Sequence, residues 1–335
     1  MSQEKACVIG LDIGTSRIVL ARKDAEEYSF SSELNAFITL PFSKLTHAVF
    51  QKENMPHSVA DGRILVYGDA SEQFADLLHG ETRRPMVEGT LNPAEPEAIA
   101  VVRALVERLV GPIAKGGIRA CYSVPAPALD SEEGPKFHQA ALQQMLAECG
   151  ITARSIEEGL AVVYAELADS NYTGIGVSCG AGLSNVCLAY LSVPVVSFSL
   201  PKAGDHVDAG AAAAASEVAT RVRVLKERYF SLNGHRDEAL PAKLRQALRV
   251  YYDDLIQSLI EAMQKAFAEQ RSLPRLNRPL PLVLAGGSVL PAGFRERFEQ
   301  ALRRSDFPFA VSEVRLASDP LHATAKGALV AALAE

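Results

Sequence analysis

Tryptophan is absent from this 335-residue chain, and aromatic residues of all kinds make up only 7% of it. Segments that are small and poor in Asp, Asn and Trp have little with which to shape a sugar pocket. An excess of positive charge is missing as well: 34 Lys and Arg stand against 40 Asp and Glu, for a net charge of −6. Nucleic-acid binding needs a basic stripe or patch, so no nucleic-acid partner is expected. Cysteine is sparse. Cys7, Cys121, Cys149, Cys179 and Cys187 are isolated, odd in number and mostly set in apolar runs, which fits buried thiols in a reducing compartment rather than a disulfide framework or a metal site. No apolar run approaches the ~20 residues of a membrane span. The opening Met-Ser-Gln-Glu-Lys-Ala carries no signal-peptide pattern and no apolar face that would enter a bilayer. The expected location is cytoplasmic, without direct membrane insertion.

What the chain does have is apolar residues, 48% of the total, enough at this length for two cores. It also has two strand-turn-strand segments made of small residues. Gly174-Ile-Gly-Val-Ser-Cys-Gly-Ala-Gly-Leu-Ser-Asn185 starts as an apolar strand, turns over Gly180, Ala181 and Gly182, and leaves through an apolar run to Leu191. Near the N-terminus, Gly10-Leu-Asp-Ile-Gly-Thr-Ser-Arg17 is entered from Ala6–Ile9 and left through Ile18–Ala21. A tight backbone without large side chains lets N–H groups approach a phosphate. Two such turns facing each other across a cleft could hold a polyphosphate. Asp12 is placed to position Mg²⁺ through water, because Mg²⁺ keeps much of its hydration shell and takes few carboxylates. Thr15, Ser16 and Arg17 add hydroxyls and a cation. The plainer reading is a hairpin in which Asp12 caps its own loop.

A third turn follows the apolar strand Pro279–Ala285: Gly286-Gly287-Ser288, ahead of a helix from Gly293 to Arg303, offers a surface for a nucleoside. Apolar spacing predicts further helices over Glu97–Val110, Lys136–Cys149, Glu157–Ala165, Asp208–Val218, Ala219–Tyr229 and Tyr251–Glu269. Arg223, Lys226 and Glu227 lie within one helical turn, a pattern that by itself describes a solvated charged face. Hydrolysis of a phosphoanhydride needs a side chain to orient the attacking water. Glu133 and Gln139 are the candidates, with His138 behind them, although an acidic helix entrance at Asp130–Glu133 also complements the helix dipole.

The order of these parts resembles the actin-type ATPase fold shared by actins, hexokinase-like sugar kinases and the large heat-shock chaperones. It is most similar to the bacterial actins of the MreB and MamK type, on Gly68-Asp-Ala, Arg84-Pro-Met-Val-Glu-Gly, Lys202-Ala-Gly-Asp and Asp319-Pro-Leu-His-Ala-Thr-Ala-Lys-Gly. The resemblance covers nearly the whole chain. It implies an α/β, two-lobed, actin-like fold of the duplicated ribonuclease H type. Residues 1–165 with 319–335 would form lobe one, with an insertion subdomain at about 31–80. Residues 166–318 would form lobe two, with an insertion at about 206–249. ATP and Mg²⁺ would lie between the lobes. Gly14, Thr15, Ser16, Arg17, Gly180, Ala181 and Gly182 would meet the phosphates; Gly204, Arg223, Lys226, Glu227, Gly286, Gly287 and Ser288 would surround the nucleoside. The implied partners are further copies of the chain in a filament, and protein adaptors.

The chain departs from that family pattern in several places. Ser178 stands where an aspartate beside the metal is usual, Leu183 and Ser184 replace threonines, and Gly159 replaces a proline. Counting from Val124-Pro125 puts the water-positioning residue at Glu132 or Glu133, whereas counting back from Gly150 puts it at His138 or Gln139. The leading expectation is a polymerising, slowly hydrolysing ATPase. A nucleotide-holding scaffold that does not polymerise is the alternative, and a small-molecule kinase ranks below both.

Overall fold

The computed structural model describes residues 7–25, 27–78, 82–112, 117–131, 135–235, 237–269 and 278–334. Strand β1 (Cys7–Ile13) buries Ile9, Leu11 and Ile13 and turns into the antiparallel strands β2 (Arg17–Asp24) and β3 (Glu27–Leu34). The next segment builds a small layer of its own. Strands β4 (Phe37–Pro41), β5 (His57–Ala60) and β6 (Arg63–Tyr67) pair in the order β4-β6-β5, with α1 (Lys44–Lys52) and α2 (Asp69–Leu77) beside them over a core of Ile38, Phe50, Ile64 and Val66. A short hairpin follows, β7 (Met86–Val87) and β8 (Thr90–Leu91). Helix α3 (Ala98–Val110) then leads to β9 (Ile118–Val124), and α4 (Lys136–Glu148) to β10 (Ile151–Glu157). The first large sheet reads β3-β2-β1-β9-β10, the last two strands parallel to β1 or to each other.

Helix α5 (Glu158–Glu166) leaves that sheet and the pattern repeats. Strands β11 (Gly174–Cys179), β12 (Ser184–Tyr190) and β13 (Val193–Leu200) form a second antiparallel meander. Helices α6 (Gly204–Ala215), α7 (Ala219–Tyr229) and α8 (Ala242–Ala268) follow, then β14 (Leu280–Ala285), α9 (Phe294–Arg304), β15 (Val311–Leu316) and α10 (Ala323–Leu333). The second sheet reads β13-β12-β11-β14-β15, the same topology as the first. Each sheet has its own core: Leu11, Leu105, Tyr122 and Leu142 in the first, Val177, Tyr252, Leu259 and Phe294 in the second.

The repeat extends to how a helix meets a strand. Gly10 on β1 lies against Ala325 and Leu329 of α10, while Gly176 on β11 lies against Gly159 and Val163 of α5. Large side chains at those two glycines would push both connecting helices away. Two helices start more than one residue away from the sequence reading. Helix α8 begins at Ala242 instead of Tyr251, its first two turns being too polar on one face to read as core. Helix α6 starts at Gly204, four residues before the expected Asp208, because the N–H groups of Gly204 and Asp205 find acceptors outside the helix, the carbonyls of Gly180 and Ala181 at 3.1 and 2.8 Å. Donors otherwise left open at a helix start are thereby satisfied by the second glycine turn.

Candidate functional site

The two glycine turns are built alike. Gly14 N–H donates to the Arg17 carbonyl at 3.0 Å, and Gly180 N–H donates to the Leu183 carbonyl at 3.0 Å. Each turn is braced from behind. Asn35, fully buried, donates its side-chain amide to the Gly14 carbonyl and its backbone N–H to the Ser16 carbonyl. In the second turn the Gly180 carbonyl accepts both Gly204 N–H and the Ser288 hydroxyl, the latter at 2.6 Å. These bonds leave the N–H groups of Thr15, Ser16, Ala181 and Gly182 without an acceptor among the described residues. Four backbone donors on two opposed turns form an anion cradle. The turns do meet: a Cβ on Gly182 would fall 2.5 Å from Thr15 Oγ1.

Behind the turns lies a pair of carboxylates. Asp12 Oδ1 accepts the Ser123 hydroxyl at 2.6 Å, and Glu158 Oε2 accepts the Ser178 hydroxyl at 3.0 Å. Desolvation pushes Asp12 up to about 6, against the pull of the Ser123 bond. Desolvation, then the charge of Asp12, pushes Glu158 up to about 8, against hydrogen bonding by Ser178 and Asn185. Two acids so placed hold a proton more readily than either would alone. A divalent cation is the natural replacement for that proton, so the donor set fits Mg²⁺. The sequence reading named Asp12 and missed Glu158, whose proximity depends on where α5 starts against β11 and β12.

The remaining candidates divide. Gly286 has φ +93°, and a Cβ there would be 2.2 Å from the Cys179 carbonyl, so the diglycine turn is pressed onto the second hairpin and Ser288 bonds to it. Gly287 is exposed beside it. Lys226 is buried in an ion pair with Asp208 at 2.9 Å, Arg223 reaches across to Glu72 on α2, and Glu227 is exposed. Arg17 is half-exposed, 3.5 Å from Asp69. Glu133, like Glu132, lies outside the described residues. Gln139 spends its side-chain amide on Ser155 of β10 at 2.8 Å. His138 is buried, and desolvation lowers it to about 4. Its Nδ1 accepts the Leu91 N–H at 3.2 Å, which leaves the ring proton on Nε2, and Nε2 has no partner among the described residues.

Duplicated five-stranded sheets, paired connecting helices and opposed glycine turns define an α/β, two-lobed, actin-like fold. Its likeness to solved structures runs end to end. The MamK double helical filament structure aligns with a TM-score of 0.73 at 21% identity, covering 98% of this chain and 99% of that one. A non-polymerising MamK mutant bound to AMPPNP aligns at 0.60 and 22%, with 98% and 99% covered. MreB5 of Spiroplasma citri bound to ADP aligns at 0.67 and 15%, with 96% and 94% covered. At such identities the likeness is one of fold. By sequence the chain belongs to the Volactin family, whose model matches residues 7–332. Curated protein sequences give no match. Among the described residues, no helix is long and apolar enough to cross a membrane.

Proposed function

We propose that this chain binds ATP with Mg²⁺ between its lobes, polymerises in the ATP-bound state and hydrolyses the nucleotide slowly. The observation that carries this reading is the cradle: four unspent N–H donors on two opposed turns above the Asp12–Glu158 pair. Gly14, Thr15, Ser16 and Gly180 to Gly182 would take the phosphates. Mg²⁺, when bound, would neutralise phosphate charge, and Asp12 and Glu158 would hold its water shell. The Gly286–Ser288 turn would lie against the nucleoside, with Glu227 free to accept ribose hydroxyls. Lys226, already neutralised by Asp208, would set the position of α7. On this reading lobe one comprises 1–165 with 319–335, and lobe two 166–318.

Filament-forming MamK is a full-length structural neighbour, and this supports assembly. The test is binding of ATP, ADP and GTP together with light scattering and pelleting. ATP binding followed by ATP-dependent assembly is expected. Absence of ATP binding at millimolar concentration would sink the whole reading, whereas binding with monomers throughout would leave the scaffold alternative.

Hydrolysis should be slow because His138 presents an N–H and no basic lone pair. It can hold a water but cannot take its proton. His138→Ala should lower phosphate release about a hundredfold, the low side of the loss for one preorganised donor, and by more than it weakens ATP binding, which its bond to Leu91 also supports. Unchanged release would remove His138 from the site.

A further inference from the structure

The short hairpin β7–β8 does more than connect two helical segments. Its turn, Glu88 and Gly89 at φ +45° and +71°, sits on both glycine turns at once. Gly89 N–H donates to Thr15 Oγ1 at 3.0 Å, and Gly182 is so close that a Cβ on it would lie 2.8 Å from Gly89 N and 3.0 Å from Glu88 Cα. Leu183, the residue standing where a threonine is usual, covers Gly89 from the other lobe. The hairpin is fixed to lobe one by buried Met86 and by the Leu91 bond to His138. It is fixed to lobe two by Arg84, whose guanidinium nitrogen lies 2.9 Å from both carboxylate oxygens of Asp205.

Asp205 stands at the start of α6, where the helix dipole favours a negative charge, and its own N–H donates to the Ala181 carbonyl at 2.8 Å. The contacts therefore close a circuit: first turn, Thr15, Gly89, Arg84, Asp205, Ala181, second turn. We propose that Arg84 and Asp205 are positioning residues that hold this strap across the cleft, and so set the gap between the phosphate turns and the length of polyphosphate that can engage both. The inference rests on the nucleotide-binding reading above.

The physical argument is one of matching. Thr15 Oγ1 accepts from Gly89, which leaves its hydroxyl hydrogen free to donate into the cradle. A phosphate chain long enough to touch both turns gains the donors of both only while the turns are held at the separation the strap imposes. A shorter chain engages one turn and is indifferent to that separation. Loss of the Arg84–Asp205 link should then weaken binding of the longer anion selectively.

The experiment measures ATP and ADP affinity, each with Mg²⁺, for the full chain and four variants. Arg84→Ala and Asp205→Asn should each weaken ATP binding about tenfold and ADP binding less than twofold, and the double variant should be no weaker than either single one. Arg84→Lys, which keeps a cation within reach of the carboxylate, should recover most of the loss. Glu72→Gln breaks another cross-lobe pair, Arg223–Glu72, which touches neither turn; it should shift ATP and ADP alike. Amide exchange at residues 84–91 should rise in Arg84→Ala and fall back in Arg84→Lys. Equal losses for ATP and ADP in Arg84→Ala, or additive losses in the double variant, would overturn the inference. Failure of the wild-type chain to bind either nucleotide would instead remove the reading it rests on.

Discussion

Gly327→Ala should cost the folded protein about 3 kcal/mol or more, at or beyond the upper end of overpacking penalties, and lower the melting midpoint by roughly 6 °C or more. Helices α5 and α10 are the two connectors that leave the equivalent strands β10 and β15, and they cross at Gly327 and Ala161. A Cβ on Gly327 would lie 1.7 Å from the Ala161 carbonyl oxygen and 2.4 Å from its carbon. Neither atom belongs to a side chain that can turn away, so the helices must separate. Separation also disturbs Gly10, where α10 presses on β1 with Ala325 O only 2.2 Å from a would-be Cβ. The second-site change Ala161→Gly should give no rescue, because the obstacle is backbone. Gly62 supplies the contrast. It has φ +70° and nothing within 4 Å of a Cβ, so Gly62→Ala should cost only about 1 kcal/mol, from backbone strain. Thermal unfolding of the three variants checks the ranking. Equal losses at Gly62 and Gly327 would mean that close helix approach is not what Gly327 provides.

That crossing explains why so much of the fold is legible in the sequence. Actin-like architecture brings backbone against backbone at a few places, and each leaves a glycine: Gly10, Gly176, Gly182, Gly286 and Gly327. The strands and turns around them are short, apolar and consecutive, so local pattern suffices. What local pattern misses has few buried residues. Only Leu34 is fully covered in β3 and only Phe50 in α1, so neither segment advertises its period. The site is less legible than the fold for a different reason. Gly89 lies in the turn between two strands of two residues each, and its importance comes from Thr15 and Gly182, 74 and 93 residues away in sequence. Arg84 stands in a stretch by which the sequence resembles bacterial actins, yet its partner Asp205 can be found only once α6 is docked on the second turn. Glu158 likewise gains meaning from Ser178, twenty residues on, through the register of two sheets.

The Glu158–Ser178 contact leads to the other large expected effect. Without metal or nucleotide, the protein should lose several kcal/mol of stability as pH rises from about 5 to 8.5. Asp12 and Glu158 have ordinary values of 3.8 and 4.5, and in the fold they rise to about 6 and about 8. The folded state therefore binds more protons than the unfolded chain across that window, and by linkage its stability falls with rising pH. Full stability from the neutral pair is present below the unfolded values and is lost as pH rises through the folded ones. Mg²⁺ with nucleotide should flatten the slope by accepting both carboxylates in their charged form, with release of protons. Glu158→Gln should remove the part of the slope above about pH 6 while weakening the Mg²⁺ dependence of ATP binding. Ser178→Asp should do the opposite. It replaces the hydroxyl that now donates to Glu158 with a third acid, so the metal-free protein should become less stable by about 1–2 kcal/mol at pH 8 and should regain that stability when Mg²⁺ and ATP are added. Denaturant titrations at pH 5.5, 7 and 8.5, with chelator or with Mg²⁺ and ATP, separate these outcomes. A flat profile in chelator, or a Ser178→Asp protein indifferent to Mg²⁺, would show that the two acids do not form the cation's seat.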